Sequence, residues 1–189
     1  RAEIVFITTP DRAIKGICND LVRLGGVHQG QVVLHTSGAH SSKILFEAQR
    51  SGAKVLSLHP LQTFPGLQAG LRALPGTFFA VEGDEEGLPV AEELVTALGG
   101  RLLAIPTEMK PLYHAAACVA CNYLSTLMDL ALRMYGVLGI SAKQAFTSLA
   151  PLIYGTLQNI EEMGPAKALT GPIARGDSST IKTHLQSIK

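Results

Sequence analysis

Gln31-Val32-Val33-Leu34-His35-Thr36-Ser37-Gly38-Ala39 decides the architecture of this chain. An apolar, β-prone run closes on His-Thr-Ser-Gly and passes into a helical pattern that reaches about Arg50. The same unit stands on either side. Upstream, Glu3-Ile4-Val5-Phe6-Ile7-Thr8 reads as a strand that ends at Thr9-Pro10-Asp11, and Ile14, Ile17, Leu21 and Leu24 then repeat at helical spacing until Gly25-Gly26. Downstream, Lys54-Val55-Leu56-Ser57-Leu58 ends in His59-Pro60-Leu61. Thr77-Phe78-Phe79-Ala80-Val81, a helix over about Leu88 to Leu98, and Arg101-Leu102-Leu103-Ala104-Ile105 complete the series. Strands alternating with helices at this rhythm predict a largely parallel sheet with helices on its faces. Ligands of such sheets bind outside the carboxyl ends of the strands. The unusual polar residues gather there: Thr9 to Asp11, His35 to Gly38, and His59-Pro60.

The pattern changes after Pro106. From about Met109 to Tyr135 the chain is helical and apolar nearly all round, as expected of a helix buried between subunits. A second helix is expected from Ser141, a natural N-cap, to about Met163, where Gly164-Pro165 breaks it. The last stretch, Leu169-Thr170-Gly171-Pro172-Ile173-Ala174-Arg175-Gly176-Asp177-Ser178-Ser179-Thr180, precedes a short helix carrying Ile181, Leu185 and Ile188. With Asp177 as N-cap, backbone N–H groups and small hydroxyls converge at the positive end of a helix dipole, a place to hold a carboxylate or phosphate, or simply a capped helix after a turn. We therefore divide the chain into a partial α/β domain over 1–107 and an all-helical domain over 108–189.

Composition narrows the function classes. Of 189 residues, 47% are hydrophobic and 16% charged, with mean hydropathy +0.25, which predicts surplus apolar surface for a subunit interface. No run reaches the roughly 18 uninterrupted apolar residues of a membrane span, and no membrane partner is expected. The net charge is +1, the basic residues are scattered and Trp is absent, so no nucleic-acid partner is expected. Three cysteines, Cys18, Cys118 and Cys121, form an odd set that points to a reducing, cytoplasmic setting. Cys118-x-x-Cys121 lies one helical turn beyond His114 but inside an apolar helix, so packing is expected there and no metal.

Thr9-Pro10-Asp11, His35-Thr36-Ser37-Gly38-Ala39, Ser57-Leu58-His59-Pro60-Leu61-Gln62-Thr63-Phe64, Tyr113-His114-Ala115-Ala116-Ala117, Asn122-Tyr123-Leu124 and the segment from Leu169 to Thr180 together resemble the Rossmann-like, DUF2520-containing proteins, essentially end to end. That group is related to coenzyme F420-dependent NADP oxidoreductases, to pyrroline-5-carboxylate reductases and to prephenate dehydrogenases. The resemblance implies a Rossmann-like NAD(P)-binding domain followed by a helical, 6-phosphogluconate-dehydrogenase-like C-terminal domain that forms a homodimer. It also implies NADP or NAD as cofactor, with the choice between them, and with F420, left open. A Gly-x-Gly-x-x-Gly turn between a first strand and helix belongs to the pattern, and none stands in this sequence. The chain thus looks like a family member without its N-terminal nucleotide-binding portion.

The resemblance also implies roles. In related dehydrogenases the loop matching Thr9, Pro10 and Asp11 lies beside the nicotinamide. Ser37 and Gly38 end the next strand, where glycine permits close approach of a ligand. His59 resembles the histidine of the His-Pro turn of prephenate dehydrogenases, which also carry a serine one strand earlier, as Ser37 does here. It is the candidate for proton transfer, against the alternative of a histidine held by a backbone carbonyl. Lys110 and His114, spaced i, i+4, share a helix face, and Asn122 follows two turns on. Related β-hydroxyacid dehydrogenases place a catalytic lysine at the start of this helix, with an asparagine where His114 stands. Arg175, Ser178, Ser179 and Thr180 resemble in position a substrate-contacting segment of pyrroline-5-carboxylate reductases. The expected function is hydride transfer to or from a small anionic carbonyl, imine or alcohol, and the alternative is a non-catalytic dimeric protein that binds a nucleotide or metabolite.

Overall fold

The computed structural model describes residues 2–188. It falls into two compact units that divide between Ala120 and Cys121. The first holds one five-stranded sheet in the order β1-β2-β3-β4-β5, with β1 Ile4–Ile7, β2 Val32–His35, β3 Lys54–Pro60, β4 Phe78–Gly83 and β5 Arg101–Ala104. The expected strands are all present. Pairings β1–β2, β2–β3 and β4–β5 are parallel, as the alternating pattern predicts.

The β3–β4 pairing is antiparallel, which corrects a simple parallel reading at that step. Residues 61–77 do not cross the sheet. They carry the short helix α3, Leu67–Ala73, and return to the edge just left, where Leu61 N donates to Phe78 O (2.8 Å). The apolar run 77–81 has no signal for direction, because parallel and antiparallel buried strands share the same residue preference.

Side-chain alternation along each strand fixes two cores. Val32, Leu34, Leu56, Leu58, Phe79 and Val81 face one side and pack with α4, Leu88–Ala97, through Ala91 and Val95. Ile7, Val33 and Val55 face the other side and pack with Ile14 and Cys18 of α1, Asp11–Arg23, and Ala48 of α2, Phe46–Arg50. Gly25 ends the α1 turn at φ 70°, a conformation that favours glycine.

On this second face the apolar rows give way to a polar one. The register aligns Ile7 with His35, His35 with Ser57, and Ser57 with Glu82. His35, Ser57 and Glu82 therefore form a row across three neighbouring strands, each no more than 3% exposed.

Beyond the sheet, α5 Lys110–Cys118 ends the first unit. A π-helical turn, Val119–Tyr123, leads into α6, Leu124–Val137. By length and composition the helical run Thr107–Val137 is long and apolar enough to cross a membrane, and its apolar window is not buried within the chain. The second unit consists of α6, α7 Ala142–Met163, α8 Pro165–Ala168, α9 Gly171–Ala174 and α10 Ser178–Ser187. Both expected caps form: Ser141 Oγ accepts from Gln144 N and an Asp177 carboxylate oxygen from Thr180 N. Its apolar residues Leu127, Val137, Leu138, Leu152 and Tyr154 are more than half exposed.

Leu56 sits at 0% exposure in the central strand. Leu56→Ala is expected to lower unfolding free energy by roughly 2–5 kcal/mol in urea titration, the cost of a core cavity. Leu67→Ala, at an exposed position of α3, is expected to change it by less than about 0.5 kcal/mol.

Candidate active site

The polar row acquires a lid from α5. Lys110, the first residue of that helix, is 0% exposed, and its Nζ donates to Ser57 Oγ at 2.6 Å. Ser57 Oγ donates in turn to Ser37 O at 3.4 Å. The row itself is closed by short hydrogen bonds. His35 Nδ1 accepts from Ser37 N (3.1 Å) and its Nε2–H donates to Ser41 O (3.2 Å), a pattern that fixes one neutral tautomer. Glu82 accepts from Ser42 N at 2.7 Å and from Ser42 Oγ at 2.8 Å, one bond to each carboxylate oxygen.

One turn along α5, Tyr113 reaches the end of β3. Its hydroxyl lies 2.8 Å from His59 Nδ1, and the two rings meet edge to face with centroids 5.7 Å apart. Lys110 Nζ stands 5.6 Å from the Tyr113 ring centroid. His114 also packs edge to face on His59, centroids 6.0 Å apart, and its Nδ1 is 4.0 Å from Cys118 Sγ. Gly38 closes the group. A Cβ placed on Gly38 would lie 2.7 Å from His59 Nε2 and 2.9 Å from His114 Nε2. The close approach that this glycine permits in the folded chain is thus that of two imidazoles.

Burial sets the charges. Loss of water pushes the His59 imidazole down from 6.5 to about 4, helped by the neighbouring Lys110 and His114 side chains and opposed by Asp11. His59 is therefore neutral at pH 7. The Lys110 ammonium falls to about 8 because it is desolvated, with Glu82 acting the other way. Burial also raises the Tyr113 phenol and lowers His35. A neutral base at the end of β3, with a phenol, and an amine lowered toward neutral pH, brought to it by α5, forms a constellation suited to proton transfer.

The candidate residues thus separate by position. His59, Lys110, His114, Ser37 and Gly38 meet in one cluster, and Asp11 is near enough to act on the charge of His59. Ser37 Oγ accepts from Ala39 N and His40 N, which shapes the turn after β2. Thr9 Oγ1 is buried without a hydrogen-bond partner, and Pro10 and Asp11 are exposed. Asn122 is exposed on the π-helical turn in the second unit. Arg175, Ser178, Ser179 and Thr180 also belong to the second unit, at the start of α10. There Ser179 Oγ and Thr180 Oγ1 donate to Asp177 at 2.7 and 2.6 Å, so the carboxylate of Asp177 takes the anion's place at this helix end. Those bonds hold Asp177 down at about 2. Among the described residues no group of three or more His, Cys, Asp or Glu is placed to hold a metal.

Three members of the cluster were missing from the expected site set: Tyr113, Ser57 and Glu82. Period-two alternation could have signalled the last two. Ser57 and Glu82 each interrupt an otherwise apolar strand on an inward position.

The DUF2520 family, described as a domain of unknown function, matches residues 77–189, and a Rossmann-like domain matches residues 1–60. The chain belongs to the DUF2520 family. It is similar to the solved protein TM1727 of Thermotoga maritima at 34% identity and TM-score 0.78, over 97% of this chain and 69% of that one. A Bacteroides fragilis protein assigned provisionally as an NADP oxidoreductase shares the fold at 21% identity and TM-score 0.69, over 98% of this chain and 68% of that one. So does a Plasmodium falciparum pyrroline carboxylate reductase with NADP bound, at 11% identity and TM-score 0.65, over 98% of this chain and 71% of that one. No protein of curated function matches the chain in sequence.

Two outcomes follow from the packing and the charges. Gly38→Ala is expected to destabilise the fold by about 1–3 kcal/mol in urea titration, because two ring positions must shift. Gly16→Ala, with open space around its Cβ on α1, is expected to be neutral or to stabilise by up to about 1 kcal/mol. His59 binds a proton less readily folded than unfolded. Between pH 6.5 and about 4 the unfolded chain then carries more protons, so this group lowers stability as pH falls through that window. His59→Asn should flatten this part of a stability-against-pH curve followed by circular dichroism.

Proposed function

We propose that this DUF2520 chain is part of an NAD(P)-dependent oxidoreductase that moves hydride to or from a small anionic carbonyl, imine or alcohol. The observation that carries the reading is the hydrogen bond between Tyr113 and His59 Nδ1, backed by the buried Lys110, at the end of a parallel strand. Thr9, Pro10, Asp11, Ser37 and Gly38 stand at the ends of β1 and β2, where open α/β sheets hold their ligands. The orphaned Thr9 Oγ1 fits a partner there, since a buried hydroxyl left unpaired is costly. When bound, the nicotinamide supplies or accepts the hydride.

The chain's own residues handle the proton. Tyr113 donates to His59 Nδ1 while His59 releases the proton on Nε2 to the substrate oxygen or nitrogen. The imidazole stays neutral throughout, in keeping with its depressed basicity. The phenolate left on Tyr113 faces the Lys110 ammonium, and solvent returns its proton after release. Oxidation runs the same steps in reverse. His114 orients the substrate; in the second unit Asn122 is a candidate polar contact, and Arg175, Ser178, Ser179 and Thr180 are candidates to hold an anionic group, which would displace Asp177 from the hydroxyls at the start of α10. The exposed apolar residues of the helical unit support a homodimer, and three free cysteines suit a reducing, cytoplasmic setting.

Calorimetric titration of the natural polypeptide with NADP and NADPH is expected to show saturable binding. His59→Asn is expected to keep that affinity and to lower turnover of an accepted imine or carbonyl acid about 10²–10⁴-fold, the usual share of a general acid. Absence of binding to either nucleotide would contradict the reading. Binding without NADPH consumption across a panel of small keto and imino acids would favour a non-catalytic binding protein.

A further inference from the structure

Glu82 has no place in the proton path just described, yet it is 3% exposed and carries a carboxylate into the sheet interior. A buried carboxylate needs a compensating arrangement. Part of it is local, since Ser42 gives one donor to each oxygen. That clamp fixes where the negative charge sits. The other part lies across the sheet. Glu82 is the register partner of Ser57, whose Oγ receives the Lys110 ammonium. Lys110 itself has only a neutral oxygen as direct partner and makes no ion pair among the described residues.

We propose that Glu82 is a positioning residue: the carboxylate clamped by Ser42 keeps the buried Lys110 protonated at neutral pH and so holds the ammonium between Ser57 and Tyr113. The inference rests on the proton-transfer reading only for its functional consequence. The charged and titratable groups facing Lys110 are Glu82 from β4, His35 from β2, His59 from β3, and Tyr113 from its own helix. His35 and His59 are both disfavoured as cations there, so Glu82 is the counter-charge among them. Burial alone drives Lys110 toward the free amine, and Glu82 opposes it. A neutral amine at this position would lose its hold on the Tyr113 phenolate formed during turnover.

The test is an NMR titration of the Lys110 side chain through its ¹³Cε and ¹⁵Nζ shifts, without nucleotide or substrate. Glu82→Gln is expected to lower the Lys110 midpoint by a pH unit or more, a tenfold or greater weakening of its proton binding. Glu82→Asp is expected to restore much of it. An unchanged midpoint in folded Glu82→Gln overturns the proposal. The wild-type protein gives a second readout that needs no variant to fold. The Glu82 carboxyl ¹³C shift should move through the Lys110 midpoint, and a flat response there also overturns it. In the assembled enzyme the alkaline limb of the pH–rate profile should fall with the Lys110 midpoint, while Glu82→Gln does not raise the acid limb governed by His59. If the NMR midpoint moves and the rate profile does not, Glu82 still sets the charge of Lys110, and it is the oxidoreductase mechanism that fails.

Discussion

The 2.6 Å hydrogen bond from the Lys110 ammonium to Ser57 Oγ fastens the start of α5 to the central strand of the sheet. An ammonium with no exposed surface is costly unless oxygens replace water around it. Here the first replacement is a hydroxyl on the central strand, and the nearest carboxylate is one strand further on. This constraint fixes how α5 begins. With Lys110 anchored, the helical repeat delivers Tyr113 and His114 to the end of β3 on one side of the axis. His59 and Gly38 receive them. The cluster is thus a consequence of where one charge is buried.

The same burial tunes the chemistry. Desolvation lowers both His59 and Lys110, and the Lys110 ammonium further disfavours a charged His59. The pair settles at pH 7 with a neutral imidazole beside an ammonium. Such a pair can pass a proton without creating a second buried cation. The aromatic hydroxyl of Tyr113 links them, hydrogen-bonded to one nitrogen while its ring faces the other group.

Much of this was legible in the chain. The strand runs at 31–35 and 54–58, and the loops that end them, gave the sheet and its ligand-bearing edge. His59 was visible as a histidine at a strand end before Pro60, and Lys110 as a polar residue on an otherwise apolar helix. The antiparallel return of β4 was not, because a buried strand carries the same residues in either direction. Gly38 was noticed for its size, but a single sequence does not say whether a ligand or a side chain uses that space. Ser57 and Glu82 became meaningful only with register, since alignment across the sheet, and not spacing along the chain, makes them neighbours. Tyr113 depends on the phase of α5 relative to β3, which the Lys110 anchor sets. The first turn of α10 was read for its donors, while the structure shows its own Asp177 accepting from two of the hydroxyls.

The central claim is that a neutral His59 is hydrogen-bonded through Nδ1 to Tyr113. A ¹⁵N NMR spectrum of the histidine rings at pH 7, in the protein and in Tyr113→Phe, tests it directly. A neutral imidazole is expected for His59, with an Nδ1 resonance that shifts when the phenol is removed. A charged imidazolium at pH 7, or an Nδ1 resonance indifferent to Tyr113→Phe, would contradict it.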